Sequence, residues 1–195
     1  DKSKYSGDLK TLSIINIDDS GSSTSEAVAF FVNLDGVASG DNTFASTTYP
    51  ALLDSGTTLI YAPSDVAQAV GQQYGTYSSL AGGYTTSCST QGEDFTFTFG
   101  DKTITVPFSN LLYNTSGQAQ GESDECLVGV LDSGSQYYIL GDGFLRSAYV
   151  SYDLDDSEIQ IAHANYNTGA SEIVSLSFGP LHPFWASLFI LKSHF

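Results

Sequence analysis

Three Asp-Ser-Gly triplets stand in this chain, at Asp19, Asp54 and Asp132, and each is a place where carboxylate chemistry could be built. The triplet is also ordinary turn chemistry, because Asp and Ser bond their own backbone and Gly reverses the chain. Context must therefore choose among them. Asp19-Ser20-Gly21-Ser22 lies in a polar Ser/Thr-rich run and reads as a loop. Asp132-Ser133-Gly134-Ser135 sits between two short apolar segments and reads as a hairpin turn. Only Asp54 combines a preceding apolar run, Ala51-Leu52-Leu53, with Thr57-Thr58 and a second run, Leu59-Ile60-Tyr61. Such flanks put Asp54 at the base of a buried loop between two core strands, where a carboxylate is costly unless hydrogen-bonded and used.

One use open to a carboxylate so placed is hydrolysis of a peptide bond. Without a metal or a covalent nucleophile, water must lose a proton on one side while the carbonyl oxygen gains one on the other. Two carboxylates close enough to share one proton can do both, because like charges at that distance cannot both ionise. The glycine after Asp-Ser lets backbone N–H groups approach the carboxylate, and the Ser55 and Thr57 hydroxyls are available to bond it. One such aspartate is half of the device.

The elements needed to hold Asp54 follow from the apolar pattern. Alternation and β-branched or aromatic clusters predict strands at 11–17, 27–34, 49–53, 59–62, 95–99, 103–106, 127–131, 136–140, 148–152 and 159–162. Turn residues punctuate them at Asp35-Gly36, Gly82-Gly83, Gly100-Asp101, Gly134 and Asp155-Asp156. One helix stands out at 64–74. Pro63 precedes a Ser64 N-cap, Asp65 lies in the first turn, and Val66, Ala69, Val70 and Tyr74 share a face. A second, short helix is expected around 110–112. The expected fold is mostly β and mostly antiparallel, with one or two small helices.

Bulk properties narrow the function further. At 195 residues the chain suits one domain, or one domain plus a tail. Six Lys and Arg against 22 Asp and Glu give a formal charge of −16. That excess excludes a nucleic acid or an anionic membrane surface as partner, since both demand a basic patch. It suits either work in acid, where protonation relieves self-repulsion, or an ordinary acidic surface. Cys88 and Cys126 could be two free thiols in a reducing compartment or one disulfide in an oxidising one, and the Ser/Thr/Gly-rich composition favours the second. Asn114-Thr115-Ser116 is an N-glycosylation acceptor motif. His163, His182 and His194 show no ligand spacing, so no metal and no cofactor is assigned. Asp1-Lys2-Ser3-Lys4 opens without an apolar leader, as expected of a processed, excised or incomplete chain. After about Asn167 the pattern changes. Small residues at Gly169-Ala170-Ser171 and an apolar run at 188–191 suggest a lipid-anchor signal only weakly, because the run is interrupted and ends in Lys192-Ser193-His194-Phe195; it is too short to span a bilayer.

Taken together, Ala51-Leu52-Leu53-Asp54-Ser55-Gly56-Thr57-Thr58 and the later Ile139-Leu140-Gly141-Asp142, followed by Phe144-Leu145-Arg146, resemble the paired active-site signatures in the C-terminal lobe of pepsin-like aspartic proteases. The resemblance runs from about Lys4 to Ala162 and is nearest to the secreted yeast pepsins of the candidapepsin and yapsin groups. It implies a single lobe of the bilobal acid-protease fold over 1–166, with 1–24 as inter-lobe connection and first strands, and leaves 167–195 as a tail without counterpart. It implies Asp54 as the second catalytic aspartate, with Ser55, Gly56, Thr57, Ile139, Leu140 and Gly141 supporting its loop. Gly56, Thr57 and Thr58 resemble contacts to bound peptide, and Tyr61 lines the cleft or is simply a buried aromatic. Cys88–Cys126 resembles the lobe's structural disulfide, and Asp132 falls in a turn outside catalysis.

A pepsin-like enzyme has two such lobes, and the first aspartate and the flap belong to the N-terminal one. The expectation is therefore half of a secreted or cell-surface acid endopeptidase, acting on polypeptide with an N-terminal lobe as partner. Two alternatives stand beside it: a self-complementing homodimer that uses Asp54 twice, and a non-catalytic β-rich secreted binding domain.

Overall fold

The computed structural model describes residues 1–17, 29–114, 124–153 and 155–166. Asp19, the Thr115 and Ser116 of the glycosylation motif, and the tail 167–195 lie outside the described residues.

After a 3-10 turn at Lys2–Lys4 come β1 (Tyr5–Ser13), β2 (Phe31–Leu34), β3 (Gly36–Ser39) and β4 (Asn42–Ala45). β5 (Tyr49–Leu53) and β6 (Ile60–Ala62) bracket Asp54, and α1 (Ser64–Tyr74) follows. The chain continues through β7 (Thr76–Ser78), β8 (Gly83–Ser87), β9 (Phe95–Phe99) and β10 (Lys102–Val106). A 3-10 turn at Phe108–Leu111 leads to β11 (Leu112–Asn114). β12 (Glu125–Val128), β13 (Val130–Asp132) and β14 (Tyr138–Leu140) precede α2 (Asp142–Leu145), and β15 (Ala148–Asp153) and β16 (Glu158–Ala164) close the fold.

The strands form four sheets, ordered β1-β16-β15, β10-β9-β3-β4, β11-β12-β8-β7 and β13-β6-β14-β5-β2. The chain is mostly β, and most pairings are antiparallel. Period-2 alternation does the work at β9, where Phe95, Phe97 and Phe99 turn inward and Thr96 and Thr98 do not. These rings join Phe144, Leu34, Ile60, Ile104, Leu111, Leu140, Ile159 and Ile161 in one core. α1 buries Val66, Ala67, Val70 and Gly71; a side chain at Gly71 would run into the Tyr84 ring, so the helix rests directly on β8.

Several expectations are corrected. The residue at the N-cap of α1 is Pro63, and Ser64 is the first helical residue; its hydroxyl donates instead to Asp132 Oδ1 at 2.8 Å. The turn at Asp132 is no hairpin. β13 and β14 lie on opposite sides of β6, parallel and antiparallel to it respectively, so the Asp132 loop crosses over that strand. Asp132 Oδ1 also accepts the Gly134 N–H at 2.8 Å, which closes the loop. The run 127–131 is two strands in two sheets, broken at Gly129, where a Cβ would sit 2.4 Å from the Tyr113 ring. The first strand begins earlier than expected, at Tyr5. The short helix expected around 110–112 is the 3-10 turn Phe108–Leu111.

Candidate active site

Asp54 leaves the end of β5 in a loop that returns through β6. Its backbone is anchored to β14, since the Asp54 N–H donates to Leu140 O at 3.2 Å and continues the parallel β5–β14 ladder. Its carboxylate takes one donor on each oxygen. Gly56 N–H reaches Oδ1 at 2.9 Å and the Thr57 hydroxyl reaches Oδ2 at 2.6 Å, a charge-assisted distance. The Thr57 N–H closes the turn onto Asp54 O at 3.3 Å.

The loop is not buried, contrary to the expectation from its apolar flanks. Asp54 and Thr57 are half-buried, and Ser55, Gly56 and Thr58 are exposed. Apolar flanks report the strands on either side, whereas the loop itself stands clear of the sheet. Ser55 makes no hydrogen bond among the described residues, so of the two hydroxyls expected around the carboxylate, Thr57 is the one bonded to it.

Ile139, Leu140 and Gly141 come to this loop as a support. Leu140 is fully buried, and its carbonyl receives Asp54. Beyond it, three successive amides face three successive carbonyls: Gly141 N–H to Leu59 O at 3.2 Å, Asp142 N–H to Thr57 O at 2.8 Å, and Gly143 N–H to Thr58 O at 3.1 Å. Only glycine permits this at position 141, where a Cβ would stand 2.2 Å from Thr57 O and 2.4 Å from Leu59 O. Thr58 O receives a further donor, the Tyr113 hydroxyl, at 3.0 Å. Burial, opposed by the Arg146 charge, raises the Tyr113 phenol above its ordinary range, so it is a protonated donor. Tyr152 lies on the other side, its hydroxyl 3.4 Å from Leu53 O and its ring 4.6 Å from that of Phe30.

The outward face of the five-stranded sheet carries an apolar row that leads to Asp54. In register across the strands stand Leu131, Tyr61, Ile139, Leu52 and Phe31. Opposed residues share a face, and, Asp132 apart, the strand neighbours of these five fill the core instead. Leu131, Tyr61, Ile139 and Leu52 are half-buried; Phe31 is buried against Tyr137, yet outside the core cluster. The alternation that turns Leu52 outward turns Asp54 the same way. Tyr61 was legible in the sequence, but Leu131, Leu52 and Phe31 were not, because a row across five strands appears only once register is known.

Cys88 and Cys126 are joined, with Cα atoms 4.9 Å apart, and no free cysteine remains among the described residues. Asn114 is exposed at the end of β11. An open cavity of about 480 Å³ is lined by Ser39, Asp41, Gln73, Tyr74, Gln91 and Glu93, among others, none of them in the Asp54 loop. Among the described residues, no group of three or more His, Cys, Asp or Glu could hold a metal, and no helix is long and apolar enough to cross a membrane.

A mostly β fold thus presents one doubly bonded aspartate on an open loop beside an outward apolar row. A family model of eukaryotic aspartyl proteases matches residues 1–164, and the chain belongs to that family. It is 64% identical over 166 residues to an acid protease of Saccharomycopsis fibuligera, covering 85% of this chain and 42% of that protein. Aspartic proteinase yapsin-3 of Saccharomyces cerevisiae is 37% identical over 89% of this chain and 34% of its own length. Secreted aspartic protease 9 of Candida albicans is 36% identical over 91% of this chain and 33% of its own length. The chain thus spans well under half the length of the relatives it matches.

Proposed function

We propose that this chain is the C-terminal lobe of an acid endopeptidase, and that Asp54 is one of the two aspartates that activate the attacking water. The observation that carries the reading is the Asp54 carboxylate itself, oriented by Gly56 N–H and the Thr57 hydroxyl while standing on a loop open to solvent. One carboxylate cannot both deprotonate water and protonate the carbonyl, so the second aspartate comes from an N-terminal lobe that closes over this loop. The substrate is polypeptide, its side chains lying along Leu131, Tyr61, Ile139 and Leu52, with Gly56, Thr57 and Thr58 contacting its backbone and Ser55 facing the partner lobe. Residues 1–166 constitute the lobe, and the setting is extracellular, with the Cys88–Cys126 disulfide for stability and Asn114 as glycan acceptor.

The test is hydrolysis of a denatured protein substrate at roughly pH 3–5, where a shared-proton pair operates. The chain alone is expected to be silent, and addition of an N-terminal lobe from a family member to restore cleavage. Asp54→Asn and pepstatin should each abolish the restored activity. Cleavage that survives Asp54→Asn sinks the assignment, and pepstatin-sensitive cleavage by the chain alone establishes the homodimer instead.

A further inference from the structure

Tyr113 drew no attention in the sequence, yet three observations converge on it. Its ring lies in a slot that glycine alone can form: a Cβ at Gly129 would stand 2.4 Å from the ring, and one at Gly143 would stand 2.9 Å from the phenol oxygen. The guanidinium carbon of Arg146 lies 5.9 Å from the ring centroid, a cation–π arrangement. The hydroxyl at the end of the slot donates to Thr58 O at 3.0 Å, on the carbonyl that also receives Gly143 N–H. Thr58 directly follows Thr57, whose hydroxyl fixes Asp54 Oδ2.

We propose that Tyr113 is a positioning residue for the catalytic loop: its hydroxyl holds the Thr57-Thr58 arm so that the Thr57 hydroxyl meets Asp54 and the arm keeps its place against substrate. The inference rests on the reading of Asp54 as catalytic. The amides of Gly141, Asp142 and Gly143 grip the arm by backbone, which almost any sequence can supply once position 141 is glycine. Tyr113 adds a side-chain donor from another sheet. It lies in β11, whose next residue, Asn114, pairs with the disulfide-bonded Cys126 of β12. The phenol thereby ties a loop open to solvent to a covalently pinned hairpin, and phenylalanine would fill the same slot without making that tie.

The experiment compares amide hydrogen exchange and thermal melting of the full isotopically labelled chain as wild type, Tyr113→Phe and Tyr149→Phe. Tyr149 serves as comparator because its phenol accepts from the terminal amine of Asp1 at 3.2 Å, on a different sheet. Tyr113→Phe is expected to melt within a few degrees of wild type while the amides of Thr57, Asp142 and Gly143 exchange about three- to tenfold faster, the loss of one net hydrogen bond. Tyr149→Phe should leave those amides unchanged. In the reassembled two-lobe enzyme, Tyr113→Phe should lower kcat/KM about tenfold. Exchange at those amides within about twofold of wild type overturns the proposal. So does global unfolding of Tyr113→Phe, which would make the phenol a support of the whole lobe rather than of the arm. The exchange readout needs no partner lobe, so its failure is distinct from a failure of acid proteolysis.

Discussion

Asp54 takes both donors to its carboxylate from the loop that follows it, the Gly56 N–H and the Thr57 hydroxyl. Its charge is felt in the opposite direction by Tyr152. Burial first, and the Asp54 charge second, push the Tyr152 phenol up to about 12. Burial also drives Tyr138 upward, with Tyr49 and Asp65 adding to it. A group whose folded value lies above its unfolded value contributes stability that is whole below the unfolded value and lost as pH rises through the folded one. The stability contributed by Tyr152 is therefore intact below pH 10 and disappears between 10 and about 12, from the 10.0 of a free phenol. Asp54→Asn removes the second cause and leaves the first. Tyr152 should then titrate lower, though still above an ordinary phenol, as followed by the ring carbon shifts of labelled tyrosine. An unmoved titration would mean that Asp54 does not face this phenol.

Among the elements, the junction of β14 and α2 does the most to hold the site, and its tightest point is Gly141. A Cβ there would meet two backbone carbonyls, Thr57 O and Leu59 O, that cannot withdraw without breaking their own bonds to Asp142 and Gly141. Gly141→Ala is expected to destabilise the chain by about 3 kcal/mol or more in urea unfolding, at the upper end for overpacking because the clash is with backbone. A change below about 1 kcal/mol would show that the loop yields. This glycine was marked only by the family resemblance of its segment, whereas α1 at its observed bounds, β5 and β9 were legible because each carries a local apolar pattern. What stayed illegible depends on pairing. β3, β4, β7 and β8 carry too few apolar residues to signal themselves and exist by bonding to neighbours. The crossover at Asp132 looked like a hairpin because both flanks are short apolar strands, and nothing local tells that β6 lies between them. Tyr113 was hidden for the same reason, since its partner Thr58 lies far along the chain and in another element.

For the molecule as a whole, charge is the largest imbalance. With 22 acidic and six basic residues, and no Lys or Arg between Lys10 and Lys102, the chain is a long acidic tract with its cations at few points. Lys10 pairs with Asp101, both on the surface, and Lys102 Nζ donates to the carbonyl of Asp8, so these two cations gather beside β1 rather than spreading among the carboxylates. Exposed contacts of that kind contribute little to stability, and the repulsion among the remaining carboxylates acts over the whole surface. Near neutral pH, salt should therefore stabilise: it shortens the screening distance from about 30 Å at 0.01 M to about 10 Å at 0.1 M and weakens like-charge repulsion more than it weakens the few close pairs. At about pH 4 many carboxylates are protonated, and the same salt should change the melting temperature much less. Melting curves at low and moderate salt, taken at both pH values, decide the matter. A rise of several degrees at neutral pH that shrinks in acid would mean that the acidic surface is one whose cost is relieved under the conditions in which a shared-proton aspartate pair works. A melting temperature that falls with salt at neutral pH would mean that close ion pairs outweigh the repulsion, and that the excess of acid has no bearing on where this chain is stable.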